Sequence, residues 1–164
     1  MLHQGTVAHN LDPFGKVDKA ALRDVLGRAR LPEGMVDDPV TKGGSNLSSG
    51  ERQLLCFARA LLQNAHVLVL DEATSNLDED SDAAIQALLR ADFASRTVLT
   101  IAHRLHTIID YDALIVMGAG KVLEQGAPLE LLKSDGGVLA SMAKALGEAG
   151  EAELWQKAGW VPEK

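Results

Sequence analysis

The sequence predicts an α/β fold built on an open parallel sheet, and three features carry that prediction. The continuous apolar run Val67-Leu68-Val69-Leu70 reads as a buried parallel strand, and Thr97-Val98-Leu99-Thr100-Ile101-Ala102 as a second strand. Stretches with helical apolar spacing alternate with them. The first run ends in two acids, Asp71-Glu72, at the strand edge where open α/β sheets bind ligands.

Taken in order, the chain to Gly15 reads as irregular, with Asn10-Leu11-Asp12-Pro13-Phe14-Gly15 a turn. From Asp18 to Arg30, Ala21, Leu22, Val25, Leu26 and Ala29 fall at helical spacing, with Asp18 as N-cap. Pro32 to Asn46 is broken by Gly34, Pro39, Gly43 and Gly44 and reads as a loop. A helix starts abruptly at Ser48. Ser48 and Glu51 have the S-x-x-E spacing of a capping box, and Leu54, Leu55, Ala58, Leu61 and Leu62 mark the buried face. The strand at 67–70 follows, then a helix from about Glu79 to Ala91, then the strand at 97–102. Leu114–Met117 and Lys121–Glu124 around Gly118-Ala119-Gly120 predict a hairpin, and Pro128 to Leu146 is mostly helical.

Composition narrows the function. The 164 residues carry 16 Lys and Arg against 23 Asp and Glu, a net charge of −7, which argues against a phosphate-backbone binder. Aromatics at 4% argue against a single-strand stacking platform. No apolar run approaches the roughly 20 residues of a membrane span, and the start lacks the pattern of a signal peptide. One cysteine, Cys56, excludes an internal disulfide framework and reads as a small buried hydrophobe.

Asp71 at a strand end is placed to hold Mg²⁺, and Glu72 to orient and deprotonate a water. The plainer alternative is a strand followed by a solvated acidic turn. From Ala60 to Leu89 six acids meet no Lys or Arg, which suggests a bound cation, although Asp80 and Asp82 also suit the first turn of a helix. Leu47-Ser48-Ser49-Gly50-Glu51-Arg52-Gln53 offers backbone amides and small residues at a helix start, an anion site. His103 directly follows the second strand. Parallel pairing would bring it to the Asp71–Glu72 edge, where imidazole can bond a phosphate or the attacking water. His3, His9, His66 and His106 read as structural.

These residues match a family. Leu47–Gln53, Val67–Glu72, Ser75-Asn76-Leu77-Asp78 and His103 resemble, in order, the signature motif, Walker B, D-loop and H-loop of an ABC transporter ATPase domain. The resemblance runs from about Gly5 to about Leu146. It is greatest to the second nucleotide-binding domain of subfamily C, the multidrug-resistance-associated exporters, through Gly5–Phe14 and the retained Glu72. It implies a P-loop NTPase-like parallel sheet with a helical subdomain, ATP and Mg²⁺ as ligands, and hydrolysis that drives transmembrane transport. Asp71 would hold Mg²⁺, Glu72 would be the general base and His103 the γ-phosphate switch. Ser48, Ser49, Gly50 and Glu51 would face nucleotide held across a dimer interface, and Asp78 would couple the two sites. Ser49 and Glu51 depart from the family's usual Gly and Gln.

The larger departure is that no G-x-x-x-x-G-K-[ST] occurs, so the N-terminal portion carrying Walker A is expected to be missing. Without that segment the two parallel strands would expose an apolar face and an unpaired edge. The expected organisation is a partial ATP-binding domain over residues 1–147, with a helical subdomain at about 16–63 and catalytic core at about 64–147, then a loosely ordered tail, 148–164. The implied partners are the missing N-terminal half, a second nucleotide-binding domain and transmembrane domains, with no nucleic acid. The implied location is the cytoplasmic face of a membrane. Two other readings stay open: a chromosome-maintenance or DNA-repair ABC ATPase, and a non-enzymatic fragment that docks on an intact ATPase.

Overall fold

The computed structural model describes residues 2–72, Leu77 and residues 79–160. It divides into two compact units, Met1–Ile101 and Ala102–Lys164, whereas the sequence reading places its boundary at 63/64.

In the first unit, β1 (Gly5–Thr6) pairs antiparallel with β2 (Pro39–Val40). Thr6 then caps α1 (Val7–Leu11) by accepting the His9 amide at 3.1 Å. This helix corrects the irregular stretch expected to Gly15, because five residues are too short for a 3.6-residue period to show. Its buried Asn10 donates to the carbonyls of His3 at 2.8 Å and Thr6 at 3.0 Å, and accepts the His3 amide at 2.8 Å. Three bonds satisfy an amide whose burial would otherwise be costly.

Asp18 caps α2 (Lys19–Arg28) through the Ala21 amide at 2.8 Å, as its position predicts. The glycine-proline stretch that follows is more regular than a loop. It holds a 3₁₀ turn at Glu33–Asp37, β2, and a second turn at Lys42–Gly44. Asn46 ties this stretch together by donating to the Pro39 carbonyl at 2.8 Å and accepting the Thr41 amide at 2.9 Å. Next, α3 (Ser49–Leu62) buries Leu54, Leu55, Phe57, Ala58 and Leu61 against the same core.

The parallel pair is present. β3 (Val67–Asp71) runs beside β4 (Thr97–Ile101), with Val67 opposite Thr97 and Asp71 opposite Ile101, joined through α4 (Glu79–Asp92). Its inner face carries Leu68, Leu70 and Val98 onto the core that α4 supplies with Ile85, Leu88 and Leu89. Burial is on one face, and the other is the open apolar face expected where the N-terminal segment is missing. Val67, Val69, Leu99 and Ile101 point the other way and are 52–61% exposed.

The second unit opens with α5 (Leu105–Ile108) and the predicted hairpin, β5 (Leu114–Gly118) and β6 (Lys121–Gly126). Its two-residue turn has positive φ at both Ala119 (47°) and Gly120 (74°), the signature of a type I′ turn whose twist suits a hairpin. Val116 lies opposite Glu124 but Met117 opposite Val122, so Leu123 bulges from β6. Then come α6 (Pro128–Lys133) and α7 (Val138–Lys144). The cap residue of α7 is Gly137, which has no side chain, and the capping acceptor comes from β6 instead. Glu124 accepts the Val138 amide at 2.6 Å and the Leu139 amide at 3.0 Å.

The loosely ordered tail is corrected over much of its length, since α8 spans Gly147–Lys157. Its amphipathic signal is weak, yet it buries Leu154 among Ile109, Leu114 and Leu139, and Lys157 donates to the His106 carbonyl at 2.9 Å. The helix closes in a Schellman motif. Trp160 N–H reaches the Trp155 carbonyl at 3.0 Å and Gly159 N–H the Gln156 carbonyl at 3.1 Å, with Gly159 at φ +87°. No described helix is long and apolar enough to cross a membrane.

Two expectations follow from this packing. Alanine at a left-handed turn position costs about 1 kcal/mol that asparagine largely avoids. Ala119→Asn is therefore expected to raise stability by about 0.5–1 kcal/mol, read as a higher urea midpoint at unchanged slope. The open face of β3 and β4 is expected to drive self-association. Val69→Thr with Leu99→Thr should reduce it in sedimentation velocity, and association equal to the parent's would rule that face out as the contact.

Candidate functional site

The edge of the sheet is set by where the ladder stops. Asp71 is the last residue of β3, and its carboxylate is exposed. Glu72 continues the ladder by one bond, its N–H meeting the Ile101 carbonyl at 3.0 Å, and then breaks the strand by adopting φ +48°. A non-glycine residue in this region is uncommon and costs of order 1 kcal/mol, and such positions cluster at functional sites. Alternation along an unbroken strand would send Asp71 and Glu72 to opposite faces. The left-handed turn at Glu72 is what ends that alternation. Nothing in the composition of Val67–Glu72 announced it, because glutamate is not a residue that favours the conformation.

His103 stands two positions beyond the end of β4, is exposed, and belongs to the second unit. The parallel pairing on which its sequence assignment rests is present in the register of Asp71 with Ile101. Asp78, with Ser75 and Asn76, lies outside the described residues.

At the start of α3 the capping box is complete. Ser48 N–H donates to Glu51 Oε2 at 2.8 Å, and Glu51 N–H donates to Ser48 Oγ at 3.1 Å. Both side chains are thus turned onto the helix end itself, and the amides of Ser49 and Gly50 have no partner among the described residues. Gly50 has a packing role that spacing did not reveal. A Cβ built there would stand 2.5 Å from Ser81 Oγ and 3.1 Å from Ser81 Cβ, so a side chain at this position would force Ser81 on α4 to shift. Arg52 holds the approach to the helix from the other side, donating to the Leu47 carbonyl at 2.7 Å.

The donor set at the β3 edge fits a hard divalent cation. One exposed carboxylate with a second beside it is what Mg²⁺ takes when it keeps most of its waters and shares phosphate oxygens. Among the described residues no group of three or more His, Cys, Asp or Glu forms a closed metal cage.

The capping box carries a pH consequence. The hydrogen bond from the Ser48 backbone, and then that involving the Ser48 hydroxyl, hold the Glu51 carboxyl below its ordinary value of 4.5. A depressed folded-state pKa gives stability that is present above pH 4.5 and is lost as pH falls through the lower folded value. Glu51→Gln keeps an acceptor for Ser48 N–H but removes the titration. The variant is expected to lose less stability than the parent below pH 4.5, by a modest amount because the pair faces solvent. Thermal midpoints from pH 3 to pH 7 check this, and parallel acid limbs would exclude it.

Comparison with known proteins agrees with this arrangement. The family model described as ABC transporter matches residues 1–75, which include both the α3 start and the β3 edge. A probable multidrug resistance-associated protein of Drosophila melanogaster, lethal(2)03659, is 46% identical over 156 residues, covering 91% of this chain and 11% of that protein. ATP-binding cassette sub-family C member 2 of Rattus norvegicus is 45% identical over 156 residues, covering 90% of this chain and 10% of that protein. Among solved structures, a bacterial Atm1-family ABC exporter with ATP bound superposes with a TM-score of 0.76 at 34% identity, covering 90% of this chain and 27% of that one. The chain therefore spans about a tenth of the length of the curated relatives it matches. By this likeness in sequence and in fold, the chain belongs to the ABC transporter family, within its nucleotide-binding domain.

Proposed function

We propose that this chain forms part of an exporter nucleotide-binding domain that binds and hydrolyses ATP to drive transmembrane transport. The observation that carries the reading is the Asp71–Glu72 pair at the carboxyl end of the parallel β3–β4 ladder, with Glu72 turned out of the strand by its positive φ.

Each residue has a task that follows from its position. Asp71 holds Mg²⁺, whose charge offsets that gathering on the phosphate oxygens. Glu72 accepts a proton from the water that attacks the γ-phosphate, and its exposed carboxylate leaves room for that water. His103 donates an imidazole N–H to an oxygen of the terminal phosphate and so senses its presence. At the α3 start the unpartnered amides of Ser49 and Gly50, with Ser48 beside them, face the phosphates of a nucleotide held by a second domain. Glu51 adds negative charge there, which slows that site relative to one with glutamine. Asp78 couples the two sites.

The 164 residues hold no G-x-x-x-x-G-K-[ST], so the amides and lysine that cradle the phosphates come from a segment outside them. The same segment covers the open apolar face of Val67, Val69, Leu99 and Ile101. The working assembly thus includes that segment, a second nucleotide-binding domain and the transmembrane domains that place it at the cytoplasmic face of a membrane. Nucleic acid has no place in it.

The test compares the 164-residue chain with the completed domain in its transporter. Calorimetry on the chain alone is expected to detect no MgATP binding below millimolar concentration, because two carboxylates without a cradle repel the phosphates. In the complete assembly, Glu72→Gln should retain ATP while turnover falls by roughly 10²–10⁴-fold. His103→Ala should also lower turnover more than binding. Tight binding by the chain alone, or normal hydrolysis by the Glu72 variant, would overturn the assignment.

A further inference from the structure

The second unit carries a surface that the nucleotide chemistry does not use. An open cavity of about 880 Å³ lies along α8 from its first turn to its closing turn, lined by Trp155, Trp160, Glu148, Glu151 and Gln156. The two indoles meet edge to face, 5.9 Å between ring centres and 64° between planes. The Schellman closure holds them there, since its two backbone bonds bring Trp160 back over the residue five positions earlier. Trp155 rests partly on the core of the unit, whereas Trp160 remains 43% exposed. An apolar contact that served only to close the helix would not require rings this large, nor leave one of them in water.

Among the described residues that line the cavity the charges are of one sign. Glu148 and Glu151 are there with no described cationic side chain, and Glu151 stands one turn before Trp155, within 3.4 Å of its indole N–H. The nearest cation on the helix, Lys157, gives its ammonium group to the His106 carbonyl. The rings also sit at the carboxyl end of α8, where the helix dipole is negative. Aromatic faces, carboxylates and a helix C-terminus all favour a cation with an apolar stem. The geometry points to a docking surface for a basic polypeptide segment, with an arginine or lysine side chain laid over Trp155 and Trp160 and its charge facing Glu148 and Glu151. Arginine suits it better, because its planar head stacks on indole and spans a carboxylate.

The two tryptophans of the sequence are both in this surface, so emission excited selectively at tryptophan reports on it. The 164-residue chain is titrated with a hexa-arginine peptide, and with a hexa-glutamate peptide as control. The arginine peptide should change the emission saturably, with an affinity that falls as salt rises, and the acidic peptide should not. Glu148→Gln with Glu151→Gln should weaken binding by roughly five-fold or more while circular dichroism stays that of the parent. Trp160→Ala should weaken it similarly, still read through Trp155. Equal affinity in the Glu148/Glu151 variant would overturn the proposal, because the net charge of −7 would then attract the peptide elsewhere. A response shared with the acidic peptide would overturn it too. So would sedimentation showing dimers that Trp160→Ala dissolves without peptide, which would assign the surface to a second copy.

Discussion

The ladder between Val67–Asp71 and Thr97–Ile101 is the constraint on which the rest of the first unit depends. Parallel strands cannot be joined by a tight turn, so the chain between them must cross over, and α4 is that crossover. Packing α4 against the inner face of the strands brings Ile85, Leu88 and Leu89 into the core that α3 shares. Both ends of the candidate site are fixed by this one arrangement. The strand ends set Asp71 and Glu72, and the approach of α4 sets the space at Gly50.

Much of this was legible in the sequence because it rests on local chemistry. Ser48 and Glu51 form their capping box because the spacing S-x-x-E closes the same two bonds in any helix. Asp18 caps α2 for a similar reason, and the hairpin follows from two strands around Ala119-Gly120. What escaped was set by contacts distant in sequence. The open face at Val69 and Leu99 is not among these, since it follows from the expected absence of a covering segment. The helix α8 escaped because its apolar residues are few and its two large ones, Leu154 and Trp155, gather at one end. Its anchor is the burial of Leu154 against distant partners such as Ile109 and Leu114. The positive φ of Glu72 escaped as well, because a strained residue is held by the ladder beside it and not by its own preference.

The α3 start shows what a position without a side chain permits. Glycine at position 50 permits close approach from either side of the helix end. A ligand phosphate and the side chain of Ser81 make the same steric request, and the structure shows the second of these. Substitution there would disturb the packing of α4 against α3. Glu51 is different: its carboxylate is held on the Ser48 amide, so its influence on a ligand is a matter of charge, and its influence on the fold is a matter of geometry.

Glu124 reaches further than its place in a short strand suggests. A seven-residue helix with a glycine cap has little tendency to persist in water, and α7 has its first turn held by a carboxylate from β6. Separating β6 from β5 would carry both acceptors away from the Val138 and Leu139 amides. The strand pair and the helix therefore open together as one cooperative block, and thermal fraying of the hairpin is felt in the buried positions of α7, Leu139 and Ala143.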